Sequence, residues 1–343
     1  IMEMFNQVPD RVVSRLLMPY AAEVVELAQG GLSSSSVFRC QGRAEQFCLR
    51  KWSGGVARFG HIQWIQSQIA RAIAVGVEAL PAHFRTVDGE SLIADGDDVW
   101  ELTEWKPGVA DYLDFPSQSR LLAATRLLAR FHSVFEPESR VQVSPAMEQR
   151  LQVLGDAIRW AAQVNWRSTS FADSLTTGLS EDQSKLIEMN VQRTHVFLRE
   201  NGERLHQRLQ ILAKEPIHCH FVLRDVWSDH LLYSQDEVTG MIDFGAARID
   251  EPATDVARLL GSLEPVDVDR WMFGFEGYRS MCPAIQRERV VMLDQVSTLL
   301  SANQWRIWVT EQQREFRASL RWQLTRWKSF LDRFERFDWL ALG

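Results

Sequence analysis

Two short stretches say more about the fold open to this chain than the rest of its 343 residues. They are Leu223-Arg224-Asp225-Val226-Trp227-Ser228-Asp229-His230 and Ile242-Asp243-Phe244-Gly245. Asp243 follows Asp225 by 18 residues, and the segment between them reads as a short hairpin. Two carboxylates so arranged can divide the chemistry, one orienting a hydroxyl while the other holds a divalent cation against phosphate oxygens. Ile242 reads as the end of a buried strand, and Gly245 as the residue that permits a sharp turn. A lone aspartate is as ready to cap a loop, and a lone Asp-Phe-Gly is a weak triplet. The pairing carries the signal.

Composition narrows the class. The chain is 45% apolar, enough for one large domain or two lobes, and its formal net charge is −7 with both signs interspersed. That balance argues against a nucleic-acid partner or an anionic membrane surface. Apolar runs fall short of the ~20 residues a membrane span needs. Glu3, Asp10, Arg11 and Arg15 break any signal-peptide pattern at the start. Four cysteines, Cys40, Cys48, Cys219 and Cys282, imply no disulfide framework, so a cytoplasmic setting is expected. The thirteen tryptophans read as packing for a helical core. No obligate protein partner is inferred.

Periodicity predicts a helix over 10–28, from Val12, Leu16, Tyr20, Val24 and Leu27, stopped by Gly30-Gly31. Strands follow at 37–40 and 47–50 around a Gln41-Gly42-Arg43 turn, then a helix over 59–75. Further strands are expected at 84–87, 91–94 and 99–103, ended by the breaker Lys106-Pro107-Gly108. Helices then dominate, at 120–134, 146–163, 182–213 and 311–337, apart from a strand–loop–strand region at 217–249. The expected organisation is a nucleotide-binding lobe over 1–104 and a helical lobe over 105–343.

These motifs resemble the aminoglycoside phosphotransferase and choline kinase-like family of small-molecule kinases. Its catalytic loop reads His-Gly-Asp, with an Asn five residues after the Asp, then a strand and Ile-Asp-Phe-Gly. The run from Asp225 through His230-Leu231-Leu232-Tyr233 and Val238-Thr239-Gly240-Met241 to Gly245 overlays this pattern without a gap. Glu251-Pro252-Ala253-Thr254-Asp255-Val256-Ala257 resembles the family's Asp-Pro-x-x-Asp-Leu-Ala helix start. Gly30-Gly31-Leu32-Ser33 is similar to its nucleotide loop, and Thr103–Gly108 to its lobe connector. The likeness covers most of the chain and is specific over 217–260. It implies an α+β, protein kinase-like bilobal fold, with a small sheet-containing N-lobe and a larger, mainly helical C-lobe.

The resemblance also implies ATP with Mg²⁺ as cofactors and a small-molecule hydroxyl as acceptor. Asp225 would orient that hydroxyl, Asp243 would bind the metal, and Gly31, Ser33 and Ser34 would cover the phosphates. Glu104 and Trp105 stand where the adenine edge would meet connector backbone. Strand alternation puts Cys48 and Arg50 on one face and Leu49 and Lys51 on the other. Arg50 therefore matches the family's phosphate-binding lysine better than Lys51 does. The net acidity suits a cationic acceptor such as an amino sugar or a choline-like alcohol.

Two departures open alternatives. His230 replaces the metal-binding Asn, and imidazole is the softer donor. It could bind metal weakly and favour Mn²⁺, Asp229 could replace it, or the second metal contact could be lost. Between Gly54 and Val77 there is no Asp or Glu to pair with Arg50. That ion pair is missing, supplied from elsewhere, or replaced by Gln63, Gln66 or Gln68. One rival is therefore a catalytically impaired, pseudokinase-type nucleotide or metabolite binder. Another is a metal-dependent hydrolase using His218, His220, Asp225 and His230.

Overall fold

Alternating apolar residues in the first hundred positions build a five-stranded antiparallel sheet. The computed structural model describes residues 8–28, 35–54, 56–165, 179–314 and 319–342. The strands are β1 (Glu23–Ala28), β2 (Ser36–Gln41), β3 (Gln46–Ser53), β4 (Leu92–Asp95) and β5 (Asp98–Glu104), in the order β1-β2-β3-β5-β4. One face buries Phe38, Cys40, Phe47, Leu49, Trp100 and Leu102 against Val12, Leu16 and Leu17 of a short helical segment, Asp10–Tyr20. Helix α1 (Val56–Ala74) presents Ile62, with Trp52 and Phe59, to Leu92 and Val99.

The single helix expected over 10–28 is instead helix then strand. Pro19 withholds an N–H, Ala21 turns the chain at φ +49°, and the strand that follows pairs with β2, Val24 opposite Cys40 and Val25 at a bulge. Phe84–Val87 is not a strand. Only His83 makes an isolated bridge, to Thr103, and Thr86 N–H closes a turn on Glu90 O at 2.7 Å.

Contacts divide the chain into two compact units: Ile1–Val134 with Ser228–Ala247, and Phe135–Trp227 with Arg248–Gly343. The first unit also contains α2, which begins at Gln118 and ends at Phe135, and the hairpin β8 (Leu231–Ser234) and β9 (Glu237–Met241). The segment after the connector pairs with this hairpin: Val109 and Tyr233 exchange backbone hydrogen bonds of 3.0 and 2.9 Å. Gly108, at φ +110°, and Gly240 allow the approach. A Cβ on Gly108 would lie 2.9 Å from Tyr233 O, and one on Gly240 2.8 Å from Lys106 Cβ.

The second unit is helical around one small sheet. Strands β6 (Arg140–Gln142), β7 (Ile217–Val222) and β10 (Arg248–Asp250) lie in the order β10-β7-β6. Its helices are α3 (Pro145–Gln163), α4 (Glu181–Ala213), α5 (Ala253–Leu263), α6 (Val268–Arg279), α7 (Arg287–Arg306) and α8 (Leu320–Arg336). The predicted helix over 311–337 begins only at Leu320, where Ser319 caps it. Helix α7 packs against α3, α4, α5 and α8, and buries Val290, Leu293, Val296 and Leu299. Of the tryptophans, Trp271 and Trp327 are fully buried here and Trp100 in the first unit.

Candidate active site

Within the first unit, β3 and the Asp-Phe-Gly turn bring two predicted residues together. Arg50 donates Nη1 to Asp243 Oδ1 at 2.8 Å. Burial alone would raise the Asp243 carboxyl, but Arg50, His230 and the Gly245 N–H outweigh it and hold its pKa below the usual carboxylate range. Burial likewise opposes the Arg50 charge, and Asp243, Cys48 and Glu101 more than restore it. Asp243 sits in the left-handed region at φ +67°. Holding a non-glycine residue there costs free energy, and such residues cluster at functional sites.

Gly245 is needed for a reason other than the expected turn. A Cβ there would lie 2.7 Å from the Trp52 ring. That indole lies under the Arg50 guanidinium, at 4.8 Å, and donates Nε1 to Glu101 Oε1 at 2.8 Å.

Glu101 is the acid that helix α1 does not supply. It faces Arg50 directly across the β3–β5 ladder and is only 6% exposed. Gln66, from α1, donates to its Oε2 at 2.8 Å, and His83 Nε2 lies 3.6 Å from the same oxygen. Glu101 thus adds a second negative charge near Arg50, whose ion-pair partner is Asp243, and the helix contributes an amide that holds the Glu101 carboxylate. Sequence reasoning named Gln66 but missed Glu101. The available signal was a charge in the otherwise apolar run Val99-Trp100-Glu101-Leu102. Lys51, on the opposite face from Arg50, pairs with Asp98 at 2.7 Å.

His230 ends a 3-10 turn, Ser228–His230, and accepts the Ile242 N–H on its carbonyl at 3.0 Å. Its Nε2 lies 3.6 Å from Asp243 Oδ2. Glu104 ends β5, and its N–H and that of Trp105 go to Ala82 O at 2.8 Å and Gln46 O at 3.1 Å. Gly31, Ser33 and Ser34 lie outside the described residues.

Within the second unit, Asp225 follows β7 on a loop clamped from α5. The buried Asp255 carboxylate accepts the N–H groups of Leu223 and Arg224, at 2.7 and 2.5 Å. Arg224 takes φ +64° at that point. The last acid of Glu251-Pro252-Ala253-Thr254-Asp255 therefore holds the loop's backbone. The first, Glu251, forms a buried bidentate pair with Arg289, at 2.7 and 3.2 Å. Asp225 is about half exposed and accepts Arg258 Nε and Nη2 on Oδ1, both at 3.1 Å.

His218 and His220 have structural partners. His218 Nδ1 meets Ser139 Oγ at 2.9 Å, and His220 Nδ1 meets Phe221 O at 2.9 Å. Among the described residues no group of three or more His, Cys, Asp or Glu side chains is placed to hold a metal.

A family model described as the phosphotransferase enzyme family matches residues 24–283. Among solved structures, spectinomycin phosphotransferase in complex with ADP and spectinomycin superposes with a TM-score of 0.64 at 11% identity, covering 98% of this chain and 96% of that one. An aminoglycoside phosphotransferase from Alicyclobacillus acidocaldarius gives 0.58 at 16%, covering 98% and 95%. Choline kinase from Streptococcus pneumoniae gives 0.55 at 12%, covering 96% and 99%. At these identities the likeness is one of fold, and the fold class is the expected α+β, protein kinase-like one. No curated protein matches the chain by sequence.

Proposed function

The chain belongs to the phosphotransferase enzyme family, and we propose that it transfers the γ-phosphoryl group of ATP to a hydroxyl of a small molecule. The observation that carries this reading is the meeting of Arg50 and Asp243, a cation for phosphate and a carboxylate for metal, 2.8 Å apart. The acceptor oxygen bonds to Pγ as the bond from Pγ to the β–γ bridging oxygen breaks. ADP leaves, and the hydroxyl proton passes late to Asp225 or to the transferred group. Asp225 mainly positions the hydroxyl, because an ordinary carboxylate is a weak base for an alcohol.

The residues fit a magnesium ion. Asp243 offers a hard oxygen kept anionic by its surroundings, and Mg²⁺ is commonly held by one or two carboxylates plus substrate phosphates. When bound, the ion neutralises charge on the phosphates. His230, with Nε2 3.6 Å from Asp243 Oδ2, would either orient that oxygen or, as a metal ligand itself, tilt the site toward Mn²⁺. Arg50, stacked on Trp52 and facing Glu101, holds phosphate oxygens as a fork. Gly31, Ser33 and Ser34 add backbone and hydroxyl donors, and the Glu104–Trp105 connector meets the adenine. A cytoplasmic setting suits this use of ATP. No helix among the described residues is long and apolar enough to cross a membrane.

The test is ATP turnover against a panel of hydroxyl compounds, comparing wild type with Asp225→Asn and Asp243→Asn. Each substitution should lower turnover about a hundredfold or more while leaving the thermal midpoint within a few degrees. Equal turnover in all three proteins would remove the assignment. His230 at the Asn position motivates the binder reading. Stabilisation by nucleotide without turnover of any acceptor would favour it.

A further inference from the structure

In the helical unit one arginine, Arg258, pairs with Asp225, and a second, Arg326, stands over the neighbouring Trp227. The Arg258 guanidinium that contacts Asp225 also lies 5.4 Å from the centre of the Trp227 ring. Arg326, from α8, lies 5.1 Å from the same ring. One turn earlier on α8, Trp322 meets Trp305 of α7 edge-on at 6.0 Å, and Trp305 meets Trp308 edge-on at 5.2 Å. Arg314 lies over Trp308 at 4.9 Å. Arg258 and Arg326 thus share the Trp227 ring, and an indole cluster of Trp322, Trp305 and Trp308 lies one turn away on α8 and at the end of α7. All of these residues except Trp305 are at least partly exposed. The α7 helix passes here into a π-helical turn, Ile307–Glu311, a distortion often found at functional sites.

Two more arginines stand behind the loop. Arg224 Nε is 3.7 Å from Asp250 Oδ2. Arg150 donates to Ser297 Oγ at 2.8 Å and to Ala146 O at 3.2 Å. Burial and the charge of Arg224 draw the Arg150 pKa down to about 10. Among the described acids, Asp225 pairs with Arg258, Asp255 takes the loop N–H groups, and Glu251 pairs with Arg289.

An ammonium group brought to Asp225 would have to compete with Arg258, which already donates twice to the carboxylate. A carboxylate or phosphate would be attracted, since guanidinium forks bind both bidentately and lie flat on indoles. We propose that the acceptor is an alcohol carrying a carboxylate or phosphate group, held by Arg258 and Arg326 with its carbon skeleton against the Trp227 ring. This replaces the cationic acceptor suggested by the chain's net acidity, because the charges beside Asp225 outweigh a molecular average. The fate of the hydroxyl rests on the phosphotransferase reading; the binding does not.

Isothermal titration without nucleotide tests it, with gluconate and glucose 6-phosphate set against glucosamine and choline. The wild type should bind one or both anions at least tenfold more tightly than either amine, and the two anions separate carboxylate from phosphate recognition. Arg326→Gln should weaken anion binding tenfold or more and leave the thermal shift with ATP unchanged. Should that variant not fold, Arg326→Lys keeps the charge, loses the fork, and should still weaken binding several-fold. Amine binding equal to or tighter than anion binding, no binding of any of the four, or unchanged affinity in the folded Arg326 variant would overturn the proposal. Anion-selective binding by a protein that turns over no ATP would support it and sink the phosphotransferase reading alone.

Discussion

Arg50 stands where the family resemblance implies a lysine, and its neighbours show how an arginine is accommodated. A guanidinium is bulkier and always charged, so it needs a flat support and nearby carboxylates. Trp52 supplies the support, Asp243 the contact, and Glu101 a second charge across the ladder. Alternation along β3 was enough to choose Arg50 over Lys51, because facing follows from period two. Glu101 could not be chosen that way, since only the β3–β5 register sets it opposite Arg50. The lowered Asp243 pKa has a measurable consequence. Its ion pair stabilises the fold above the ordinary carboxylate pKa of about 3.9, and that contribution disappears as pH falls through the depressed native value. Thermal melts of wild type and Asp243→Asn from pH 7 to pH 3 should therefore converge on acidification. A gap between them that stays constant over that range would contradict the pairing.

Among the elements, the Asp-Phe-Gly turn and the β8–β9 hairpin depend on close backbone approach. Gly245 leaves room for the Trp52 indole that supports Arg50. Gly245→Ala should displace that ring, lowering stability by about 1–3 kcal/mol in urea denaturation and weakening nucleotide binding together. Loss of stability without any change in nucleotide affinity would separate Trp52 from the site. Helix positions were largely legible, because three- and four-residue spacing of apolar side chains survives in any packing. The N-terminal segment was not. Its spacing stays apolar from Val12 to Leu27, yet Pro19 and the β-branched pair Val24-Val25 hand the second half to the sheet. Tertiary pairing overrode a periodicity that helix and strand could both use.

For the whole molecule, chain order and compact units part company. Residues 228–247 return to the unit begun by residues 1–134, because the hairpin takes its partners from Val109, Pro107 and Ala79. No linker signal marks that return in sequence. The helical unit is tied by the buried Arg289–Glu251 pair, and Arg289 also donates to Leu212 O at 3.0 Å. Arg289→Met should cost about 3–5 kcal/mol in chemical denaturation, since it strands a buried carboxylate, and adding Glu251→Leu should recover much of it. A neutral single substitution would show that Glu251 finds other support. The linear sequence determined the family, the fold class and the spacing of Asp225 and Asp243, because local motifs carry their own geometry. Tertiary structure decided that Asp243 pairs with Arg50 while Gln66 holds Glu101 nearby, that Gly245 serves Trp52, and that Arg258 pairs with Asp225. Each of those depends on register and packing between distant segments, which spacing along a chain does not encode.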